Sequence, residues 1–267
     1  MKLIVTGNSS GIGKFLADSL AAEGHVVCGL ARSPQDGFGF QCDVSDWNGL
    51  QNCAGKVAAK WAAVDGLICC AGVQEPIGPA MEIDPAAWRS ALAVNLDGTF
   101  FSIRAFYPLL CRAQRRAKII CFSGGGSTSP RPHFAAYGVS KTGVVRLVET
   151  LAAEWEKQPF DINAVAPGAI FTRMTEEILA RGETCAGRKE FESASKLSRD
   201  NSAKLEKLLG LVDFLLSGKS DGISGKLISA QWDPWEKLQD LKADLNGDIY
   251  TLRRIVPKDR GKEWGDG

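Results

Sequence analysis

Tyr137 and Lys141 stand four residues apart in Tyr137-Gly138-Val139-Ser140-Lys141, at the start of a stretch (138–157) with helical apolar spacing. Residues four apart share one face of a helix, so the spacing sets a phenol beside an ammonium. That pairing favours the phenolate and lowers a pKa that is normally about 10. Such a phenol can give or take a proton near neutral pH, which is what interconversion of a carbonyl and an alcohol requires. Alone the spacing is common and carries little weight. Upstream, Ser123 and Ser127 bracket the run Gly124-Gly125-Gly126, which brings two hydroxyls and a close-approaching backbone into the same neighbourhood.

A second chemical cluster lies at the other end. Thr6-Gly7-Asn8-Ser9-Ser10-Gly11-Ile12-Gly13 follows an apolar run and opens a helical one. Glycines let the backbone approach a ligand, and the free N–H groups at a helix start attract phosphate. The spacing is G-x-x-x-G-x-G rather than G-x-G-x-x-G. At a strand–helix junction it predicts a dinucleotide pyrophosphate site over Gly7, Ser9, Ser10, Gly11, Ile12 and Gly13. The next apolar run ends Leu30-Ala31-Arg32-Ser33 without an acid. An acid there serves the ribose of NAD, whereas Arg32 would pair with the 2′-phosphate of NADP, so NADP(H) is favoured over NAD(H). Asp36, a little further on, is the residue that could still serve NAD.

These residues need elements to hold them. Strand-like runs occur at 2–6, 25–31, 66–70, 118–122, 161–166 and 226–230. Helical spacing fills 11–23, 46–61, 85–113, 138–157 and 203–217. Alternation of this kind predicts βαβ units, a parallel sheet covered on both faces and right-handed connections: an α/β, doubly wound, single-domain fold. The charged segment 173–202 reads as short helices forming a lid. The segment 232–267 carries three of the seven tryptophans, so at least 232–256 is expected to dock on the body or on a neighbouring subunit.

Composition narrows the class further. The 267 residues are 45% hydrophobic and 24% charged, enough for a full core. Lys+Arg of 32 against Asp+Glu of 31 gives a net charge of +1, which argues against a nucleic-acid or membrane-surface partner. No apolar run is long enough to span a membrane, and Met1-Lys2-Leu3-Ile4-Val5 does not read as a secretory leader. Eight cysteines without a C-x-x-C pair read as reduced thiols of a cytoplasmic protein. Two histidines, His25 and His133, far apart, offer little for a metal.

Taken in order, these motifs resemble the short-chain dehydrogenase/reductase family over about residues 1–230. TGNSSGIG matches its cofactor glycines, Tyr137 and Lys141 its Tyr-x-x-x-Lys, and Val94-Asn95-Leu96 the segment carrying its active-site asparagine. Asp43-Val44 matches the pair that contacts adenine. Ala71-Gly72, after Cys69-Cys70, stands where the family has Asn-Asn-Ala-Gly. Pro167-Gly168, with Ile170 and Thr172, matches the segment that holds the nicotinamide carboxamide. The resemblance implies a Rossmann-like fold over 1–231 and an NADP(H)-dependent oxidoreductase. Tyr137 would be its acid/base, Lys141 would reach the nicotinamide ribose, and Asn95 would hold a water or a backbone geometry that feeds protons through Lys141. It also implies a homodimer or homotetramer built through 85–113 and 138–157.

The chain departs from the family in one place of consequence. The family's substrate-binding serine falls thirteen residues before the tyrosine, at Gly124. Ser123 takes the role if the glycine run swings or the loop is one residue longer; otherwise the donor is Ser127 or is missing, at about 100- to 1000-fold in rate. The charges Arg173, Arg181, Arg188, Lys189 and Arg199 of the lid suggest a polar, sugar- or polyol-like substrate, or else form its solvated outer face. Trp232 and Trp235 would wall the substrate pocket or fill a subunit interface. Other readings are a cofactor-binding protein with weak or no catalysis and a redox-neutral epimerase.

Overall fold

The apolar runs form strands with no polar face because helices cover both sides of the sheet. The computed structural model describes residues 1–33 and 37–264; Asp36, read above for NAD, lies outside them. In chain order the strands are β1 Lys2–Thr6, β2 Val26–Ala31, β3 Gly39–Gln41, β4 Gly66–Cys69, β5 Ala117–Phe122, β6 Phe160–Ala166 and β7 Leu227–Ser229. They make one parallel sheet in the order β3-β2-β1-β4-β5-β6-β7. The helices are α1 Gly11–Ala22, α2 Trp47–Ala58, α3 Pro85–Leu92, α4 Gly98–Leu110, α5 Ala135–Glu154, α6 Arg173–Ala186, α7 Arg188–Ser195 and α8 Ser202–Leu216.

Successive strand residues feed opposite cores, the period-2 rule applied to a doubly covered sheet. Ile4, Leu30, Leu67, Ile119 and Ile162 pack with Leu50 and Val57 of α2, Ile103 and Phe106 of α4 and Val144 and Val148 of α5. Leu3, Val5, Ile68, Ile120 and Val165 pack with Leu16 and Leu20 of α1 and Leu208, Leu211 and Leu215 of α8. The expected α/β doubly wound fold is present. Strand order reverses beside β1, and in such sheets the crevice at the strands' C-terminal ends is where ligands bind.

Two elements differ from the sequence expectation. β3, a three-residue strand beside β2, is too short to show periodicity. The stretch 85–113 is not one helix: a π-helical turn, Ala93–Asp97, separates α3 from α4. The lid segment folds as α6 and α7, meeting at Gly187.

Beyond β7 the chain wraps the sheet edge. Tyr250 O accepts from Leu227 N at 2.8 Å, so the outer side of β7 is partly paired. Leu238 and Leu245 are buried against the α1/α8 core, while Lys226 Nζ donates to Gly247 O and Ile249 O at 2.9 and 3.1 Å. Trp235 lies against Phe214 and donates through Nε1 to Ala230 O at 3.2 Å. Trp232 is exposed. Among the described residues no helix is long and apolar enough to cross a membrane.

Candidate active site

The glycine loop is shaped by what touches it. Gly7 has φ +71°, and a Cβ there would lie 2.7 Å from Ala71 Cα. A Cβ on Gly13 would collide with the Gly7 carbonyl. A side chain at Gly7 would push the end of β1 away from that of β4, and one at Gly13 would push α1 off the loop. Helix α1 begins with no side-chain cap and no acid in its first turn, so its leading amides are left for an outside acceptor. Ser9, Ser10 and Gly11 are exposed there, and Ile12 is half-buried on the core. Beside Gly11 (φ +56°) the nearest atom to an added Cβ is Thr172 Cγ2, 3.9 Å away. A bare, positively polarised helix start with room above it fits a dinucleotide pyrophosphate.

The other proposed cofactor residues line the same C-terminal edge. Arg32 is exposed at the end of β2, and its carbonyl accepts from Gln41 Nε2 at 2.8 Å. Asp43 accepts from Ser45 N and Oγ at 2.9 and 2.7 Å. Burial works against its charge, but Ser45 and the nearby Arg32 hold its carboxyl below the ordinary range. Val44 is buried behind it. Ala71 N donates to Thr6 Oγ1 at 3.2 Å, tying the two strand ends together. After β6, Pro167 O accepts from Gln231 Nε2 at 3.1 Å, and Gly168 turns with φ +84°. Ile170 is buried and Thr172 caps α6, its N–H donating to Thr175 Oγ1 at 3.2 Å.

Tyr137, Lys141 and Asn95 converge between β4, β5 and α5. Tyr137 is 7% exposed and sits on the first turns of α5. Lys141, 4% exposed, donates to Phe122 O at 2.9 Å. Asn95 is fully buried in the π turn. Its Oδ1 accepts from Val73 N at 2.8 Å, and its Nδ2 donates to Val73 O at 2.9 Å and to Ser140 Oγ at 3.0 Å. Of the two roles open for Asn95, this geometry is a clamp on backbone: it fixes the segment after Gly72 onto α5.

Gly124 faces the tyrosine. A Cβ built there would overlap the Tyr137 hydroxyl oxygen and lie 2.8 Å from Cζ. Tyr137 therefore occupies the space a serine side chain would need. Ser123 is buried and its Oγ is paired with Ser127 Oγ at 2.9 Å. The neighbouring cysteines are small: Cys69 on β4 is in register with Cys121 on β5.

The electrostatics differ from the sequence expectation in one respect. Burial pushes the Tyr137 phenol above its ordinary value, and the opposing pull comes from Arg131 rather than Lys141. The Lys141 ammonium is 5.8 Å from the ring centroid and turned to a carbonyl, while desolvation penalises the phenolate. Burial also brings the Lys141 amine down to about 8.

The lid's charges are paired partly within it and partly with the body. Arg173 pairs with Glu177 and Arg188 with Glu192, both on outer helix faces, and Arg181 pairs with Glu75 at 2.7 Å. Its inner face is apolar: Ile178, Ala186 and Ala194 pack on Ile77, Phe134 and Tyr137. Three residues that sequence reasoning did not single out tie lid to site. Arg131 donates to Gln74 Oε1 (3.2 Å) and pairs with Glu190 of α7 (2.8 Å), and Gln74 Nε2 donates to Met174 O of α6 (3.1 Å). Only Arg131 carried a signal, its place in the loop before Tyr137.

Residues 2–182 match the short chain dehydrogenase family, and the chain belongs to it. It is thus an enzyme of the oxidoreductase class whose family works with a nicotinamide dinucleotide. It is 34% identical over 192 residues to galactitol 2-dehydrogenase (L-tagatose-forming) of Cereibacter sphaeroides, covering 67% of this chain and 75% of that one. It is 33% identical over 185 residues to D-threitol dehydrogenase of Mycolicibacterium smegmatis, covering 64% and 70%. Among solved structures, ligand-free aldohexose dehydrogenase of Thermoplasma acidophilum superposes with a TM-score of 0.74 at 23% identity, covering 85% of this chain and 91% of that one.

Proposed function

We propose that this protein is an NADP(H)-dependent oxidoreductase that interconverts a carbonyl and a secondary alcohol on a polyol- or sugar-like substrate. Tyr137 is its acid/base. One observation carries the reading: the Tyr137 hydroxyl lies against the bare backbone of Gly124, with Lys141 buried on the same helix face. The dinucleotide, when bound, gives or takes the hydride. The chain supplies the rest. Gly7, Ser9, Ser10, Gly11, Ile12 and Gly13 receive the pyrophosphate, and Arg32 meets the 2′-phosphate. Asp43 and Val44 hold the adenine. Ala71, Gly72, Pro167, Gly168, Ile170 and Thr172 frame the nicotinamide half, beside Lys141. Ser123 can donate to the substrate oxygen while accepting from Ser127, whose hydroxyl lies 2.9 Å away, and Tyr137 donates to the same oxygen.

The substrate class rests on the galactitol and threitol dehydrogenases among the relatives. The lid charges do not support it, because their pairs lie on the outer faces. We further propose a homodimer or homotetramer through α4 and α5, where Phe100 and Val139 are exposed. A second reading, cofactor binding with weak or no catalysis, is favoured by Gly124 and by Cys69-Cys70 in place of two asparagines.

Fluorescence titration with NADPH and NADH, followed by a panel of polyols, ketoses and apolar ketones, tests the reading. The expected result is tighter NADPH than NADH, a preference lost in Arg32→Ala, and turnover of polyols. Equal or inverted preference would overturn the NADP assignment, and turnover of apolar ketones alone would overturn the substrate class.

A further inference from the structure

Arg131 is placed with unusual care for a loop residue. Its guanidinium carbon lies 3.8 Å from the Phe134 ring centroid and 5.7 Å from that of Tyr137. Its side chain runs along Gly125, 3.5–3.7 Å from where a Cβ there would be. Gln74, itself 4% exposed, accepts one nitrogen and Glu190 another, so the planar group is held on two sides with 14% of the side chain exposed. Gly124, whose added Cβ would meet the Tyr137 hydroxyl, carries no side chain that could donate to it.

We propose that Arg131 is a positioning residue that fixes the Tyr137 ring and stabilises its ionised form, with the lid carboxylate Glu190 setting how strongly it does so. The inference rests on Tyr137 being the proton-transfer group. A cation near an aromatic ring is attracted to its electron density, and ionising the phenol increases that density. An opposite charge at this range favours the charged form of its neighbour. Arg131 is the charge that opposes burial at Tyr137. Glu190 sits on the guanidinium and offsets part of its field. Because Glu190 is on α7 and Gln74 is tied to α6, the lid's position and the charge beside the phenol are linked.

The other titratable groups around Tyr137 do not duplicate this role. Lys141, on the same helix, is turned to Phe122 O and has Cys69, Cys70 and Cys121 beside it. Glu75 and Arg181 are paired with each other, and Cys185 Sγ donates to Ile77 O at 3.0 Å. His133 lies against Gly187 at the joint of the lid helices.

The test is an alkaline titration of the phenol by ultraviolet difference absorbance, each protein measured against its own Tyr137→Phe version to subtract Tyr107 and Tyr250. Removing the cation in Arg131→Met, which keeps a stem over Phe134, makes the neutral phenol relatively more favourable. Its midpoint should rise by about one pH unit. Glu190→Gln removes the offsetting charge and should move the midpoint down. Arg131→Lys keeps the charge and should stay closer to the parent than Arg131→Met. Unchanged midpoints in both Arg131→Met and Glu190→Gln would overturn the proposal and leave Arg131 a lid tether. Should Arg131→Met not fold, the Glu190→Gln shift decides. Failure of the underlying reading shows elsewhere, as undiminished turnover by Tyr137→Phe.

Discussion

Tyr137 and a side chain at position 124 compete for one space, and the chemistry turns on that competition. In the family pattern a serine stands at Gly124, yet here a Cβ would meet the phenol oxygen. Gly124→Ser, which restores the family residue, is therefore expected to displace Tyr137 and to lower kcat at least tenfold instead of raising it. Steady-state kinetics of the purified variant would decide; a gain in kcat would show that the glycine is a defect and not a fitted part of the site. The Tyr137–Lys141 spacing was legible because helix geometry alone sets it. The source of the charge acting on the phenol was not. Arg131 reaches Tyr137 through the fold of a Pro-flanked loop and two partners, Gln74 and Glu190, that lie 57 and 59 residues away in sequence. No local pattern encodes such a meeting.

At the scale of elements, the π turn Ala93–Asp97 is where sequence and structure part most usefully. Apolar periodicity read 85–113 as one helix, because inserting one residue into a turn barely disturbs the pattern. The insertion lets Asn95 point inward and clamp Val73 from both sides. Asn95→Ala would leave the N–H and C=O of half-buried Val73 without their partner, at a cost of about 2–4 kcal/mol. Differential scanning calorimetry should show a melting temperature lower by roughly 4–16 °C. An unchanged melting temperature would mean that the asparagine does not hold the fold. β3 escaped notice for a simpler reason: three residues show no period, and pairing with β2 makes them a strand. The buried strands β1, β4, β5 and β6 were legible, since runs of Val, Ile and Leu bounded by turns have few other uses. Lid helices α6 and α7 were legible as elements, but which charges faced out was not, because that depends on how the lid lands.

At the scale of the whole molecule, the sheet brings the N-terminal glycine loop, the ends of β4 and β5 and the start of the lid to one edge. Gly11 and Thr172, 161 positions apart, are near neighbours there. That convergence follows from the doubly wound topology, which the alternation of elements made readable before any contact was known. The chain after β7 was less readable: its tryptophans argued for docking, but its path from the α1/α8 core around β7 to Arg146 and Glu149 of α5 depends on single hydrogen bonds. On the proposed reading, Tyr137 moves the proton at this edge while the hydride passes between substrate and dinucleotide. The measurement to make is the rate of NADP+ reduction by the parent protein and by Tyr137→Phe across the panel of polyols, alongside NADPH affinity for both. Measurable turnover by the parent is expected, with a loss on the order of 100- to 10,000-fold in the variant and unchanged affinity. A Tyr137→Phe enzyme that turns over as fast as its parent would contradict that reading.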